Sequence, residues 1–541
     1  MTLRLHRRDL LAAGTFGMGA LAVPGTAALL AARGFTHEVA SGEPGHYKVM
    51  LWTRYVPASG DAARIEYQVS ETPDFARAVS GGTVTAEAAH DWCVKPVAEG
   101  LKPNTIYHYR FVDARGRFSP VGRTRTLPNG HVERFTLGVL SCANLPYGWF
   151  NAYAHAAARD DIDLMLHLGD YFYEYERGRY PAPGAATAGR TVEPPHEAAA
   201  LADYRLRYAS YRADPDLRRL HRRFPMVMMW DDHETANDSW SGGAENHQPQ
   251  TEGAWEVRKR AAMQAYREWL PVSDEPWKYY RIGDLLHLFR PETRLTARSR
   301  PLDLGAAIAG RSDPAAALAA FRDGPWKDPS RTLLGTEQEA WLDKGLRFSM
   351  GDGVKWQVLA QQVLMGTIQS SARVAEWVGA DASEEVRRRS AVGLAAARAG
   401  LPFNFDQWDG YPAARERLLR SALDADANLL VLSGDSHNAW AFDLDLNGTA
   451  AGVEFAGHSV TSPGYEAYLP RVRPADLAAA IVETNRQLKW ANTHRRGYMT
   501  VELTPERATG EWLFLDTVRE RSTRIAERHR MSTARGSNRL V

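Results

Sequence analysis

The chain has 541 residues, of which 44% are hydrophobic and 24% charged, and this length predicts two or more domains. Its formal net charge of +1 gives no support for specific binding to nucleic acids or for general binding to membrane surfaces. The two cysteines, Cys93 and Cys142, are too few for a disulfide framework, although a single bridge between them stays open.

Residues 1–33 are predicted to be a twin-arginine export signal. Arg7 and Arg8 precede an apolar run, rich in glycine, alanine and leucine, that extends to about Ala32. A charged segment followed by an apolar one is typical of an export signal, and the arginine pair indicates the twin-arginine pathway. The glycines within the run disfavour the alternative, a membrane anchor. We therefore expect a periplasmic or secreted protein whose mature chain has no transmembrane segment.

Residues 34–130 are predicted to form an N-terminal all-β sandwich of the immunoglobulin or fibronectin type. Val49–Val56, Ala63–Ser70 and Thr105–Val112 alternate apolar and polar residues and are separated by turn-forming residues. Because this region has no cluster of acids or histidines, we expect a structural or docking role. Pro128–Gly130 is the predicted linker to the next domain.

From residue 131 to residue 520, buried strands alternate with amphipathic helices, which predicts an α/β domain. Asp284–Arg290 and Trp356–Gly366 are predicted core strands, and Tyr498–Leu503 is predicted to pair with Trp512–Asp516 in a hairpin. Two long insertions interrupt the pattern, and insertions of this size are expected to shape the substrate entrance; they are Ser299–Pro329 and Ser370–Phe405.

Residues 521–541 are predicted to be a basic C-terminal tail. The segment Val518–His529 has the composition of a helix, and the residues beyond it are expected to be disordered.

Four apolar runs of strand length each end in a cysteine, aspartate or histidine, which are residue types that commonly bind metals. They are Phe135–Cys142, Asp163–Asp170, Pro225–Glu234 and Asn428–Asn438. In open α/β sheets, the functional groups collect just beyond the carboxyl ends of the strands. The four runs together therefore predict a shared metal site.

Each of these motifs also has a structural interpretation when it is taken alone. Asp170 with Tyr173 in GDYFYE is also typical of a helix cap beside a packed tyrosine. A lone cysteine such as Cys142 is more often a small buried hydrophobe, and WDDHE would also suit a solvated turn. The apolar residues before WDDHE disfavour a turn, because buried carboxylates are costly unless they are paired or metal-bound. As a thiolate ligand, Cys142 would favour iron or zinc over calcium or magnesium.

Six motifs occur in the order in which they appear in the alkaline phosphatase D (PhoD-like) family, and the chain resembles that family from about Phe35 to Asp516. The motifs are SC…G…FNAY, HLGDYFYE, WDDHETAND, FDQWDGY, GDSHNAW and VEFAGHSVTSPG. The resemblance implies a calcineurin-like metallophosphoesterase fold, similar to that of purple acid phosphatases, with an αββα core of two packed sheets. It also implies iron(III) and calcium as the metals, with other divalent ions as alternatives.

The resemblance further implies roles for individual residues. Cys142, Asp170 and Tyr173 would hold the iron, and Asp170 would bridge to a second metal. The remaining implied ligands are Asp232, Asp435 and His437.

Other positions would act on the substrate. His233 would contact the phosphate or protonate the leaving group, and Asn237 and Asn438 would touch metal or phosphate. The family often carries LDTR at a strand end where this chain reads RPETR; Arg294 is kept and would stabilise developing charge, but the aspartate is missing.

The predicted function is metal-dependent hydrolysis of a small phosphate ester by in-line attack of a metal-bound hydroxide. Phosphomonoesters and phosphodiesters are both candidates, including phospholipid and nucleotide-derived esters. One alternative is a phosphodiesterase of the phospholipase D type. Another is a non-catalytic surface protein, which the intact set of four motifs disfavours.

Overall fold

The computed structural model describes residues 31–373, 377–379 and 384–541. The predicted export signal therefore lies outside the described residues, except for its last three positions. Within the described ranges, no helix is long and apolar enough to cross a membrane. Cys93 and Cys142 are both buried and free, so they form no disulfide.

Three β-sheets organise the part of the chain that the structure describes. The strands, numbered in chain order, are β1 Gly34–Gly42, β2 Lys48–Val56, β3 Ala62–Ser70, β4 Ala78–Glu87, β5 Cys93–Val94, β6 Val97–Glu99, β7 Ile106–Asp113, β8 Gly122–Arg125, β9 Phe135–Leu140, β10 Leu164–His167, β11 Pro225–Met228, β12 Lys278–Ile282, β13 Leu286–Arg290, β14 Trp356–Ala360, β15 Leu429–Ser433, β16 Ala439–Leu446, β17 Thr449–Ala456, β18 Leu488–Asn492, β19 Gly497–Leu503, β20 Arg507–Leu515 and β21 Ile525–Ala534.

Helices lie between these strands and on the outer faces of the two larger sheets. The α-helices are Asn151–Ala157, Leu201–Arg212, Pro215–Arg223, Pro249–Glu252, Trp255–Trp269, Leu304–Ile308, Pro314–Asp323, Gly335–Gly351, Glu384–Arg398, Pro412–Asp424 and Pro474–Thr484.

The first large sheet has ten strands in the order β21-β20-β19-β9-β10-β11-β1-β2-β5, with β6 beside β2. The second has seven strands in the order β12-β13-β14-β15-β17-β16-β18. Parallel pairing joins β9, β10 and β11 in the first sheet and β13, β14, β15 and β17 in the second. Since the carboxyl ends of parallel strands share one edge, each sheet presents several strand ends at the same place.

The two large sheets pack against each other, and helices cover their outer faces. Leu137 and Leu166 of the first sheet share a core with Val358 and Leu432 of the second. Separate cores form where helices pack on the outside of each sheet. The order helix, sheet, sheet, helix confirms the predicted α/β class and buries the strands on both faces, which explains why they are continuous apolar runs.

The N-terminal region is joined to the first large sheet. A four-stranded sheet, in the order β4-β3-β7-β8, packs against β1, β2, β5 and β6 around a core that includes Val39, Leu51, Ile65 and Tyr109. Strand β1 also pairs in parallel with β11, so this region shares a sheet with the strand that precedes WDDHE. Alternation along single strands carries no information about this pairing, and the sequence did not predict it.

The prediction of a helical and disordered C-terminal tail was wrong. Residues 525–534 form β21, which pairs antiparallel with β20 along the edge of the first sheet. His529 stacks on Trp490 with ring centroids 3.9 Å apart, and Arg530 forms an ion pair of 3.0 Å with Glu511. These contacts with distant residues outweigh the helical composition of the segment. The predicted core strands and the β19–β20 hairpin are confirmed.

The two insertions differ in their position. Residues of the second insertion, including Ser370, Ser371 and Phe403, line a cavity at the strand ends. Helices of the first insertion pack behind it, where Leu304 and Phe321 share a small core with Phe405.

Candidate metal centre

Strand ends of both large sheets bring ligand-type side chains together. Cys142 follows β9, Asp170 follows β10, Asp232 and His233 follow β11, and Asp435 follows β15. Potential ligand atoms lie within 4.8 Å of one another in three groups: Cys142, Asp170 and His437; Asp170, Asp232 and His233; and Asp231, Asp232 and Asp435. Because Asp170 and Asp232 each belong to two groups, the donors form one continuous cluster.

The backbone turns sharply where these side chains leave their strands. Cys142, Asp170, Asp435 and His437 have positive φ angles of 54° to 60°, as does Asp238 at 50°. Residues other than glycine seldom adopt this left-handed conformation, and they persist there only when surrounding contacts fix it. The turns direct the side chains toward a common point.

Glu234, the last residue of WDDHE, fixes one of these turns. Its buried carboxylate accepts hydrogen bonds from the backbone N–H groups of Asp170 (3.1 Å), Tyr171 (2.6 Å) and Asp231 (2.8 Å). The backbone of Gly169, the residue before Asp170, lies against Asp231. A Cβ atom at position 169 would be only 2.4 Å from the Asp231 Cβ. The ends of β10 and β11 are therefore held in direct contact.

Tyr173, a predicted iron ligand, contacts two further predicted metal ligands, Asp170 and His437. Its hydroxyl lies 3.0 Å from Asp170 Oδ2, 3.0 Å from His437 Nε2 and 2.6 Å from Ser462 Oγ. Cys142 is fully buried beside them, and burial raises the pKa of its thiol well above the usual range. The structure therefore brings together all the residues expected at the iron position.

His437 is held in its neutral form, with one ring nitrogen directed at the cluster. Its Nδ1 donates to the Pro463 carbonyl at 2.9 Å, so Nε2 carries the lone pair on the side of Tyr173 and Asp170. Burial lowers the pKa of His437 to about 3, and the charges of Arg496 and His233 act in the same direction.

His233 is held by a buried carboxylate on the opposite side of the cluster. Its Nδ1 donates to Glu174 Oε2 at 2.7 Å, and its ring lies 4.2 Å from the Tyr173 ring. Burial lowers the pKa of His233, but the negative charges of Asp232, Glu174 and Asp170 outweigh that effect and raise it well above the usual range. The imidazolium form is therefore favoured.

Arg294 lies inside a cage of carboxylates. It donates to Asp231 Oδ1 (2.5 Å), Asp406 Oδ2 (2.6 Å) and Asp435 Oδ1 (3.3 Å), and its side chain is fully buried. Burial raises the pKa of Asp232, but the charges of Arg294 and His233 overcome this and hold it below the usual range. In this position Arg294 compensates the charge of two carboxylates of the cluster, Asp231 and Asp435, and of the adjacent Asp406.

The departure in the RPETR motif also has a structural explanation. Glu292 accepts hydrogen bonds from the backbone N–H groups of Arg294 (2.7 Å), Leu295 (2.7 Å) and Thr296 (2.8 Å), and from the Trp230 indole (2.8 Å). The carboxylate therefore fixes both the loop that carries Arg294 and the residue before Asp231.

The two asparagines differ in their contacts. Asn237 lies at the cavity, where its backbone N–H donates to Glu174 at 2.8 Å and its side chain donates to Glu245 at 3.1 Å. Asn438 is buried, donates to the Ser436 carbonyl and accepts from Tyr465 N at 3.2 Å. Asn438 therefore holds the loop after β17, beside the cluster.

The donor set fits metal ions. Among the hydrogen bonds of the described residues, the buried atoms Asp170 Oδ1 and Asp231 Oδ2 have no partner. Burial raises the pKa of both Asp170 and Asp435 well above the usual range, and adjacent carboxylates add to this effect. Carboxylates this crowded are costly without a compensating charge, and cations supply that charge.

Several organising residues were not identified from the sequence. These residues all lie within the six family motifs; they are Glu174, Asp231, Glu234, Asp238 and Asp406. An acidic residue beside a predicted ligand was the available signal, but sequence spacing alone does not separate a ligand from the residue that positions it.

The layered fold and the strand-end cluster together define the class as an α/β protein with a candidate metal centre, and comparisons with known proteins identify the family. The model of the PhoD-like phosphatase family matches residues 137–512, and that of the PhoD-like phosphatase N-terminal domain matches residues 21–128. Alkaline phosphatase D from Bacillus subtilis (strain 168) is 32% identical over 518 residues, which cover 91% of this chain and 80% of the relative. A solved structure of PhoD superposes with a TM-score of 0.76 at 30% identity and covers 94% of this chain and 92% of its own.

The chain belongs to the PhoD-like phosphatase family. It is therefore an enzyme of the phosphoric ester hydrolase class.

Proposed function

We propose that this enzyme hydrolyses small phosphate esters at the strand-end cluster with iron(III) and calcium as its metals. The observation that carries the proposal is the shared position of Asp170, which lies within 4.8 Å of donor atoms in two groups. A carboxylate placed in this way suits a bridge between two ions. Cys142, Tyr173 and His437 are the proposed iron ligands, because phenolate, thiolate and imidazole suit iron better than calcium.

The second part of the site is richer in oxygen donors. We assign Asp232 and Asp435 to calcium, since hard cations prefer carboxylate oxygens. When bound, the metal ions supply Lewis acidity, which neutralises the phosphoryl oxygens and lowers the pKa of a water ligand.

We propose that His233 donates the proton that the leaving alkoxide takes up. Glu174 holds its Nδ1 at 2.7 Å and favours the imidazolium form, so Nε2 carries the proton that is transferred. Arg294 acts indirectly in this proposal, because its guanidinium is bonded to three carboxylates and keeps them in place. Asn237, at the cavity beside His233, is the proposed contact for a phosphoryl oxygen.

Phosphodiesters are the favoured ester class. Among the cavity-lining residues in the described part of the chain, there is no lysine or arginine, whereas five are aspartates. A monoester dianion carries more charge than a diester monoanion and would depend entirely on metals and His233 for compensation. The phospholipase D type of phosphodiesterase remains a narrower version of the same proposal.

The proposal is tested by metal analysis of the purified enzyme, followed by assays with bis-p-nitrophenyl phosphate and p-nitrophenyl phosphate. We expect bound iron and calcium, colour from phenolate or thiolate on iron(III), and a higher kcat/KM for the diester. A colourless and fully active enzyme would contradict the proposal that iron(III) is one of the metals. A metal-loaded enzyme that hydrolyses neither ester would contradict the proposed hydrolysis of small phosphate esters.

For the whole chain, we propose export through the twin-arginine pathway by residues 1–33 to the periplasm or the medium. We also propose that residues 34–130 act as a structural domain. The parallel pairing of β1 with β11 supports this role, because the N-terminal region thereby supports the strand before WDDHE.

A further inference from the structure

The cavity beside the metal cluster has a second, apolar group of lining residues. Its volume is about 380 Å³, which is within the range of small-ligand pockets. One group of lining residues consists of the aspartates and histidines described above, and uncharged polar residues such as Gln369, Ser371 and Gln407 also line the cavity. The apolar group, here called the apolar wall, consists of Ile368, Phe403, Tyr465, Leu469, Leu477 and Ile481.

The apolar wall is attached directly to the metal cluster. His437 donates to the Pro463 carbonyl at 2.9 Å, and Asn438 accepts from Tyr465 N at 3.2 Å. The Tyr465 ring also packs against the Trp440 ring, with centroids 6.0 Å apart. The loop that carries Tyr465 is therefore fixed by residues at and next to a proposed iron ligand.

Hydrogen bonds also join the other segments of the wall. Asn485, just after the helix that contains Leu477 and Ile481, accepts from Gln369 N at 2.8 Å and donates to Gln369 O at 3.2 Å. Phe403 N donates to the Ile368 carbonyl at 2.9 Å. Three segments distant in sequence thus form one surface that exists before a ligand binds, which lowers the entropic cost of binding.

The charge distribution restricts what this surface accepts. Asp238 and Asp406 line the same cavity, and in the described chain no lysine or arginine does. An ester whose organic group carries a negative charge would meet carboxylates there, with no lysine or arginine in the described lining to pair with it. An uncharged apolar group would instead bury its surface against Ile368, Phe403 and Leu477.

We propose that the apolar wall is the subsite for the organic group of the ester, and that it selects uncharged apolar groups of about the size of phenyl or butyl. The inference rests on the proposed function, since the phosphoryl group must lie at the metal cluster for the organic group to reach the wall. Apolar pockets discriminate between groups of different size by about 10- to 200-fold.

Binding of simple phosphonates to the metal-loaded full-length enzyme tests the subsite, because each carries the same phosphoryl-like head. By isothermal titration calorimetry, we expect phenylphosphonate to bind about tenfold more tightly than methylphosphonate. We expect 3-phosphonopropionate, which adds a carboxylate, to bind no more tightly than methylphosphonate. Equal affinities for phenyl- and methylphosphonate would overturn the subsite and leave the hydrolase proposal intact. If neither phosphonate bound, the phosphoryl site itself would be wrong.

A pair of matched variants locates the effect. Phe403 is 46% exposed, so Phe403→Ser should fold, and it should reduce the preference for phenylphosphonate to about threefold or less. Phe348 is 53% exposed and stacks on His287 at 6.0 Å, outside the residues that line the cavity. Phe348→Ser should keep the wild-type preference. An unchanged preference in Phe403→Ser, or an equal loss in both variants, would overturn the assignment of the wall.

Discussion

Two cavities in the described part of the chain differ in size and in chemistry, and the larger one lacks the cluster of candidate metal ligands. A groove of about 830 Å³ lies between the N-terminal region and the helix Trp255–Trp269, and its lining includes Lys95, Lys259 and Glu268. Lys95 and Lys259 donate to the carbonyls of Val272 (2.7 Å) and Ser241 (2.9 Å). The cavity at the strand ends has less than half that volume, but it is lined by Asp170, whose buried Oδ1 atom has no hydrogen-bond partner. The cluster of candidate metal ligands, and not the cavity volume, therefore marks the proposed active site.

The groove and the candidate metal centre are built from the same two segments of the chain. Trp230 and Leu295 line the groove, whereas their neighbours in the sequence, Asp231 and Arg294, lie at the candidate metal centre. Glu292 lies between them and binds both segments. The following variants test whether only the smaller cavity carries activity.

Asp170→Ala should have the largest effect. Removing a carboxylate shared by two donor groups should eliminate metal binding and reduce kcat/KM about a thousandfold, a loss of about 4 kcal/mol of transition-state stabilisation. Metal content and ester hydrolysis measure this. The control is Asp160→Ala, whose side chain is 89% exposed, and it should behave as wild type. Full activity and metal content in Asp170→Ala would refute the site.

Glu292→Gln should have an intermediate effect. The substitution keeps the shape but weakens the charge-assisted bonds that position Arg294 and Trp230, so kcat/KM should fall about 10- to 100-fold. Asp113→Asn is the matched control, since Asp113 is also buried and accepts from the backbone N–H groups of Arg115 and Arg117 at 2.9 Å. Both variants should melt at lower temperature, but only Glu292→Gln should lose activity. Equal kcat/KM values would show that Glu292 only stabilises the fold.

Lys95→Met should have the smallest effect. Its ammonium group contacts a backbone carbonyl in the groove, so we expect metal content to be unchanged and kcat/KM to stay within about twofold of wild type. The same esters provide the measurement. A tenfold loss of activity with intact folding would mean that the larger cavity takes part in catalysis.

The sequence pattern by itself determined the α/β class and the strands that lead to the cluster, whereas the arrangement of two packed sheets was implied by the family resemblance. Strands buried on both faces must be continuous apolar runs, and their functional groups must follow where the apolar run stops. This rule located Cys142, Asp170, Asp232 and Asp435, and the structure places all four in one cluster.

Only the tertiary structure shows which acidic residues lie in the cluster of candidate ligands and which accept hydrogen bonds that position other groups. Glu174, Glu234 and Glu292 each contact partners on other strands or loops, and such contacts leave no local pattern in the sequence. The same reason explains β21, where pairing with β20 overrides a helical composition, and the pairing of β1 with β11. Local patterns record burial and backbone preference, whereas roles within the site depend on contacts between distant segments.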